Sequence, residues 1–181
     1  MNHLINHALV ALGMIGLGFA NPAIVTANTA VRPNENSSLH ITQVQATGLD
    51  GKAFDGGTLE GKIVLLDFWA VWCGPCLTAF PDLMRLNREY GDKNFEVIGI
   101  ASYSGTTDDV RAVVERYDVD YTIVMGEVDL ITKFRVVGMP TYFLMGRDGA
   151  VAGKYVGDIE DLFGRIASDI DAIIGDVTAK Q

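Results

Sequence analysis

Seven residues, Ile63-Val64-Leu65-Leu66-Asp67-Phe68-Trp69, constrain this chain more than any other stretch. A run so short and so nearly continuously apolar, set off by Gly61-Lys62, predicts a strand buried on both faces, and such strands occur in mostly parallel sheets covered by helices. A helix should follow. Leu77, Phe80, Leu83, Met84 and Leu86 recur at helical spacing, with Pro81 expected to kink the helix and Gly91 to stop it. Residues 95–101 repeat the buried-strand pattern, and Thr106-Thr107-Asp108-Asp109 can cap a helix with Val110, Val113, Val114 and Tyr117 on one face. Strand 121–125, helix 128–134 and strand 141–145 come next. Asp148-Gly149 then turns the chain into strand 151–156, and an amphipathic helix over 159–174 closes it. Ahead of this series, a strand at 41–46, a turn at Leu49-Asp50-Gly51-Lys52 and a connection through Gly56-Gly57 read as an N-terminal hairpin. The pattern is one α/β domain over 39–176, with a short tail at 177–181 and no second core or repeat.

The first residues read as a targeting segment. An apolar run over 8–20 is followed by Asn21-Pro22 and by Val25-Thr26-Ala27, which has the small-residue form of a signal-peptidase site. Residues 1–27 are therefore expected to be a cleaved signal peptide. The alternative is an uncleaved anchor, because 8–27 is about long enough to span a bilayer and no Lys or Arg precedes Arg32 to fix its orientation. Residues 28–38 form a polar linker. The expected location is periplasmic or otherwise extracytoplasmic.

A net charge of -9 argues against a nucleic-acid partner, which would require clustered Lys and Arg. The chain has two cysteines, Cys73 and Cys76, so neither a disulfide framework nor a four-cysteine zinc site is available. Its histidines, His3, His7 and His40, all lie in the first forty residues, far in sequence from the cysteines. Leu77 directly after Cys76 excludes the covalent haem motif, which needs His there. No metal and no cofactor is expected.

A Cys-X-X-Cys placed where a buried strand gives way to a helix puts the first sulfur among unpaired backbone N–H groups at the positive end of the helix dipole, which favours the thiolate. Cys73 is then the attacking sulfur. Cys76, one turn further on, is placed to resolve a mixed disulfide. Pro75 suits the first helical turn, where its missing N–H costs nothing.

The segment Asp67-Phe68-Trp69-Ala70-Val71-Trp72-Cys73-Gly74-Pro75-Cys76 resembles the thioredoxin active site, and Gly138-Met139-Pro140-Thr141 resembles its cis-proline loop. The N-terminal hairpin and an extra helix and strand between about 106 and 125 make the chain similar to the TlpA/ResA-like disulfide oxidoreductases of bacterial envelopes. That resemblance implies a thioredoxin fold carrying both additions. It also implies Asp67 as a buried proton acceptor and donor for the inner thiol, and a substrate surface comprising Trp72, Gly74, Pro75, Met139 and Pro140. Trp69 is expected in the core. The partners implied are oxidised client proteins of the cell envelope, of cytochrome c maturation or copper-centre assembly type, and a membrane thiol electron donor. Ala79 departs from the pattern of cytochrome c maturation members, which often carry an acid at that position. Gly74-Pro75 and Met139 point to a reductase. An oxidase or isomerase, a thioredoxin-fold holdase and a copper-binding module using both cysteines are the alternatives.

Overall fold

The computed structural model describes residues 38–178. The expected leader over 1–27 and nearly all of the linker to 38 lie outside the described residues. Seven strands form one sheet in the order β2-β1-β5-β4-β3-β6-β7. The strands are β1 (Gln45–Gly48), β2 (Ala53–Asp55), β3 (Ile63–Trp69), β4 (Phe95–Ser102), β5 (Thr122–Gly126), β6 (Thr141–Met145) and β7 (Val151–Val156). β3, β4 and β5 run parallel, and their crossovers are the helices α1 (Gly74–Tyr90) and α2 (Thr107–Arg116). β6 and β7 close the other side antiparallel, after α3 (Val128–Lys133) and before α4 (Leu162–Thr178). This is the thioredoxin fold with both additions. The two additions depend on each other: inserted strand β5 would leave an open edge, and the N-terminal hairpin covers it through Thr47↔Met125 and Gly48↔Val124.

β3 explains the two cores. Every one of its side chains is buried, and the strand's period of two sends Ile63, Leu65 and Trp69 to one face and Val64, Leu66 and Phe68 to the other. The first face is covered by α1 through Phe80, Leu83 and Leu86 and by α4 through Leu162, Ile166 and Ile170. The second is covered by Leu130 and Phe134 around α3 and by Ile41 and Val44 of the N-terminal segment. Each such side chain contributes roughly 1.5–3 kcal/mol by leaving water. Asp67 is in phase with the first face, so its carboxyl lies on the α1 side of the sheet.

Two local readings change, at the N-terminal segment and at the start of the last helix. Residues 41–43 form a 3-10 turn, and only 45–48 are strand. Ile41 and Val44 are both buried, and their spacing of three matches that turn. His40 caps it: Nδ1 accepts from the Thr42 N–H at 3.3 Å, and Nε2 donates to the Asp148 carbonyl at 2.8 Å. Nδ1 thus caps the 3-10 turn, and Nε2 ties the N-terminal segment to the β6–β7 turn. α1 ends at Tyr90, with Gly91 as its C-cap as expected, in the right-handed conformation. The chain tightens into a 3-10 turn over Gly91–Lys93, and Asn94, at φ 63°, ends it. Pro81 lies inside a helix that is continuous from Gly74 to Tyr90. Finally, Asp161 at φ 52° keeps 159–161 out of α4, which starts at Leu162 and runs to Thr178, past the expected helix end at 174.

Candidate active site

Cys73 and Cys76 are joined by a disulfide, with Cα atoms 5.3 Å apart. Cys73 is the N-cap of α1, with extended backbone at φ -87° and ψ 96°, and its sulfur accepts from the Cys76 N–H at 3.3 Å. Gly74 and Pro75 fill the first turn and are exposed, and Pro75 there sacrifices no helical hydrogen bond. Cys73 keeps 5% of its surface and Cys76 keeps 1%, so the more accessible sulfur is also the one at the positive end of the helix.

Sheet register brings the second motif to the same place. β6 pairs antiparallel with β3 so that Thr141 lies opposite Phe68, which sets Pro140 at the end of β3 from which the chain enters the cysteine loop. The Met139–Pro140 peptide is cis. Thr141 Oγ1 donates to the Gly138 carbonyl at 2.7 Å, and the Pro140 carbonyl accepts from the Gly157 N–H at 2.8 Å, so the loop is held on both sides. Met139 packs against the core cluster that includes both cysteines.

Trp72 is 66% exposed and Trp69 is fully buried. Trp72 is nonetheless fixed, because Nε1 donates to the Tyr103 carbonyl at 2.9 Å and the neighbouring Val71 N–H donates to Ser104 Oγ at 3.1 Å. The β4–α2 loop therefore braces the cysteine loop. Tyr103 holds φ 50°, a region that an aromatic side chain occupies only when its surroundings enforce it, and it leaves the ring 59% exposed beside Trp72. Two adjoining grooves share Tyr103 and Ile131. One, of about 300 Å³, is walled by Trp72, Val136, Val137 and Met139, and the other, of about 520 Å³, by Met125, Val128 and the acids Glu127 and Asp129. Tyr103 and Ser104 were not singled out from sequence. The Ser-Tyr-Ser-Gly run after a buried strand marks a turn, but nothing in it names Trp72 as the partner.

Asp67 is 1% exposed, and neither carboxyl oxygen has a hydrogen-bond partner among the described residues. Burial therefore pushes its pKa up from 3.8 to about 8. The Tyr121 hydroxyl opposes that rise as a nearby donor, although Tyr121 Oη and the carboxyl stop short of hydrogen-bond geometry. A neutral acid near pH 7 with a titration point close by can take up or release a proton under ordinary conditions. No group of three or more His, Cys, Asp or Glu side chains among the described residues could hold a metal ion. No helix among them is long and apolar enough to cross a membrane.

The Redoxin family model matches residues 27–174. Among curated proteins, the thiol-disulfide oxidoreductase ResA of Bacillus cereus is 33% identical over 113 residues, covering 62% of this chain and 65% of ResA. The thioredoxin-like protein YneN of Bacillus subtilis is 32% identical over 99 residues, covering 54% and 58%. The chain thus spans less than two thirds of these relatives' length. Among solved structures, one described as a thiol:disulfide interchange protein DsbE from Chlorobium tepidum superposes with a TM-score of 0.68 at 28% identity, covering 72% of this chain and 92% of that one. A secreted disulfide oxidoreductase of Mycobacterium tuberculosis, homologous to E. coli DsbE, gives 0.60 at 25% identity, with 70% and 96% covered.

Proposed function

This chain belongs to the Redoxin family, and on that premise we propose that it is an extracytoplasmic thiol-disulfide oxidoreductase that reduces disulfides in client proteins of the cell envelope. The observation that carries the reading is the Cys73–Cys76 disulfide at the N-terminus of α1, with an unpartnered buried carboxyl, Asp67, on the same face of the strand that leads into it. In the reduced protein the Cys73 thiolate attacks one sulfur of a client disulfide. A Cys73–client S–S bond forms, the client S–S bond breaks, and the expelled client sulfur leaves as a thiolate that takes a proton from water. Asp67 first releases its own proton to water, and Cys76 then gives its proton to the ionised carboxyl and attacks Cys73 Sγ. The mixed disulfide breaks and the second client sulfur leaves, taking a proton from protonated Asp67 or from water. The client gains two electrons, and the enzyme is left as the disulfide seen here. A membrane thiol donor returns it to the dithiol.

Trp72, Gly74, Pro75, Met139 and Pro140 form the client surface in this reading. Met139 offers its backbone to an extended client segment, and the two grooves beside Trp72 and Tyr103 receive apolar client side chains. The reductase direction rests on the Gly74-Pro75 pair and on Met139. Clients of cytochrome c maturation or copper-centre assembly type fit an envelope reductase, and Ala79 leaves the former without the acid those members often carry. Residues 1–27 supply export, as a cleaved signal or an anchor.

The test is a trapping experiment on the full chain. Cys76→Ser should accumulate a mixed disulfide through Cys73 when mixed with oxidised insulin, Cys73→Ser should form none, and neither should turn over. Equal trapping by both variants, or insulin reduction surviving Cys73→Ser, would remove the assigned roles.

A further inference from the structure

Four buried polar atoms lack partners in one small region: both oxygens of Asp67, Trp69 Nε1 and Tyr121 Oη. The sheet explains why they converge. Asp67 on β3 is in register with Gly99 on β4, and both positions are in phase with the α1 face. Gly99 has no side chain to lay beside the carboxyl, and its place is taken by its neighbours. A Cβ built there would lie 3.1 Å from Trp69 Nε1, 3.1 Å from Tyr121 Cε2 and in collision with Ile123 Cδ1. The missing side chain is thus the lane through which the Tyr121 ring, from the residue before β5, reaches across β4 toward β3.

Leaving a buried hydroxyl and a buried carboxyl unpaired is costly, and a buried carboxylate without donors is costlier still. Among the described residues no Lys, Arg or His contributes to the charge state of Asp67. From β6, Tyr142 stands in register with it. Asp82 of α1 and Asp158 after β7 act on Tyr142 and bring only negative charge. Asp120, beside Tyr121, pairs with Arg88 at 2.9 Å. The buried, unpartnered donors beside an ionised Asp67 are Tyr121 and the Trp69 indole.

We propose that Tyr121 is a positioning residue for Asp67: when the carboxyl ionises during turnover, a small rotation brings it onto the Tyr121 hydroxyl, which donates to it and retains its own proton. The terminal torsion of an aspartate is broad, so this rotation is cheap. The idea rests on the proposed proton exchange between Asp67 and Cys76, with Tyr121 setting how readily the carboxylate forms. The direction of the Tyr121 effect on Asp67, toward the ionised form, agrees with this arrangement.

The experiment is a pH titration of the Asp67 side-chain carbon by 13C NMR on the oxidised full chain, for wild type and Tyr121→Phe, beside the pH dependence of the reduction potential of the cysteine pair. Removing the donor should raise the Asp67 midpoint by about one pH unit, tenfold in its ionisation constant. An unmoved or lowered midpoint would overturn the proposal. A raised midpoint with an unmoved break in the potential supports the Tyr121 pairing and removes instead the proton exchange with Cys76. Should Tyr121→Phe fail to fold, the wild type answers alone. The Tyr121 ring resonances should then titrate with the Asp67 midpoint and stay flat in Asp67→Asn, and rings that do not sense Asp67 refute the pairing.

Discussion

Replacing Asp67 with Asn should make the protein more stable at alkaline pH, and the size of the effect follows from its burial. In the unfolded chain the carboxyl titrates near 3.8, and in the folded protein near 8. Between these values the folded state holds one proton more than the unfolded state, so each rise of one pH unit lowers the unfolding free energy by about 1.4 kcal/mol. The stability gained from holding the acid neutral is full below the unfolded pKa and is lost as pH rises through about 8. Because the group is fully buried, no solvent screening reduces the figure, which over the whole window is on the order of 5 kcal/mol. Asn has nearly the same shape and never ionises. Urea unfolding of the oxidised full chain, wild type against Asp67→Asn, should therefore show a free-energy difference that grows in favour of the variant by about 4 kcal/mol between pH 5 and pH 8.5. Surface carboxylates titrate alike in both proteins and cancel. A difference that stays constant over this range would mean that Asp67 is already ionised at pH 5 and held by donors, and the case for a buried proton exchanger would fail.

Other outcomes follow from the same structure. Trp72→Ala, which removes an exposed ring and one hydrogen bond to Tyr103, should cost about 1 kcal/mol or less in unfolding free energy, yet lower kcat/KM for a protein client about tenfold. Equal kinetics would take Trp72 off the client surface. Phe80→Ala, which empties a fully buried site packed edge-on against Trp69 at 5.0 Å and close to Tyr117 and Tyr121, should cost about 3–5 kcal/mol, measured by the same urea curves. Thr106→Ala breaks the capping box with Asp109 and should cost about 1 kcal/mol, and no change would show that the α2 N-terminus frays in the native protein.

What could be read from the sequence was whatever carries its own local signature. β3 is legible because burial on both faces leaves an unbroken apolar run, and the cysteine loop is legible because a helix start, a proline and two sulfurs fall in one short segment. The cis-proline loop could be recognised, but its position beside the cysteines is a consequence of the Phe68↔Thr141 register, which no local pattern reveals. Residues 41–46 were misassigned because Ile41, Val44 and Ala46 fit neither strict alternation nor a full helix, and the anchoring of His40 to the Asp148 carbonyl, which fixes the turn, comes from 108 residues away. The start of α4 escaped because Asp161 is left-handed without being glycine. Tyr103 and Tyr121 were missed for a shared reason: each acts through a partner far along the chain, Trp72 for one and Asp67 for the other, and Gly99 matters only for the side chain it lacks.

The central claim is that the Cys73–Cys76 pair works as a reductant, and the reduction potential of that pair tests it most directly. The full chain would be equilibrated against dithiothreitol redox buffers, with the dithiol fraction read by thiol alkylation. The account predicts a value near about -270 mV, below the glutathione range. A value near about -120 mV, that of strong disulfide donors, would contradict it and make this chain an oxidase of its clients.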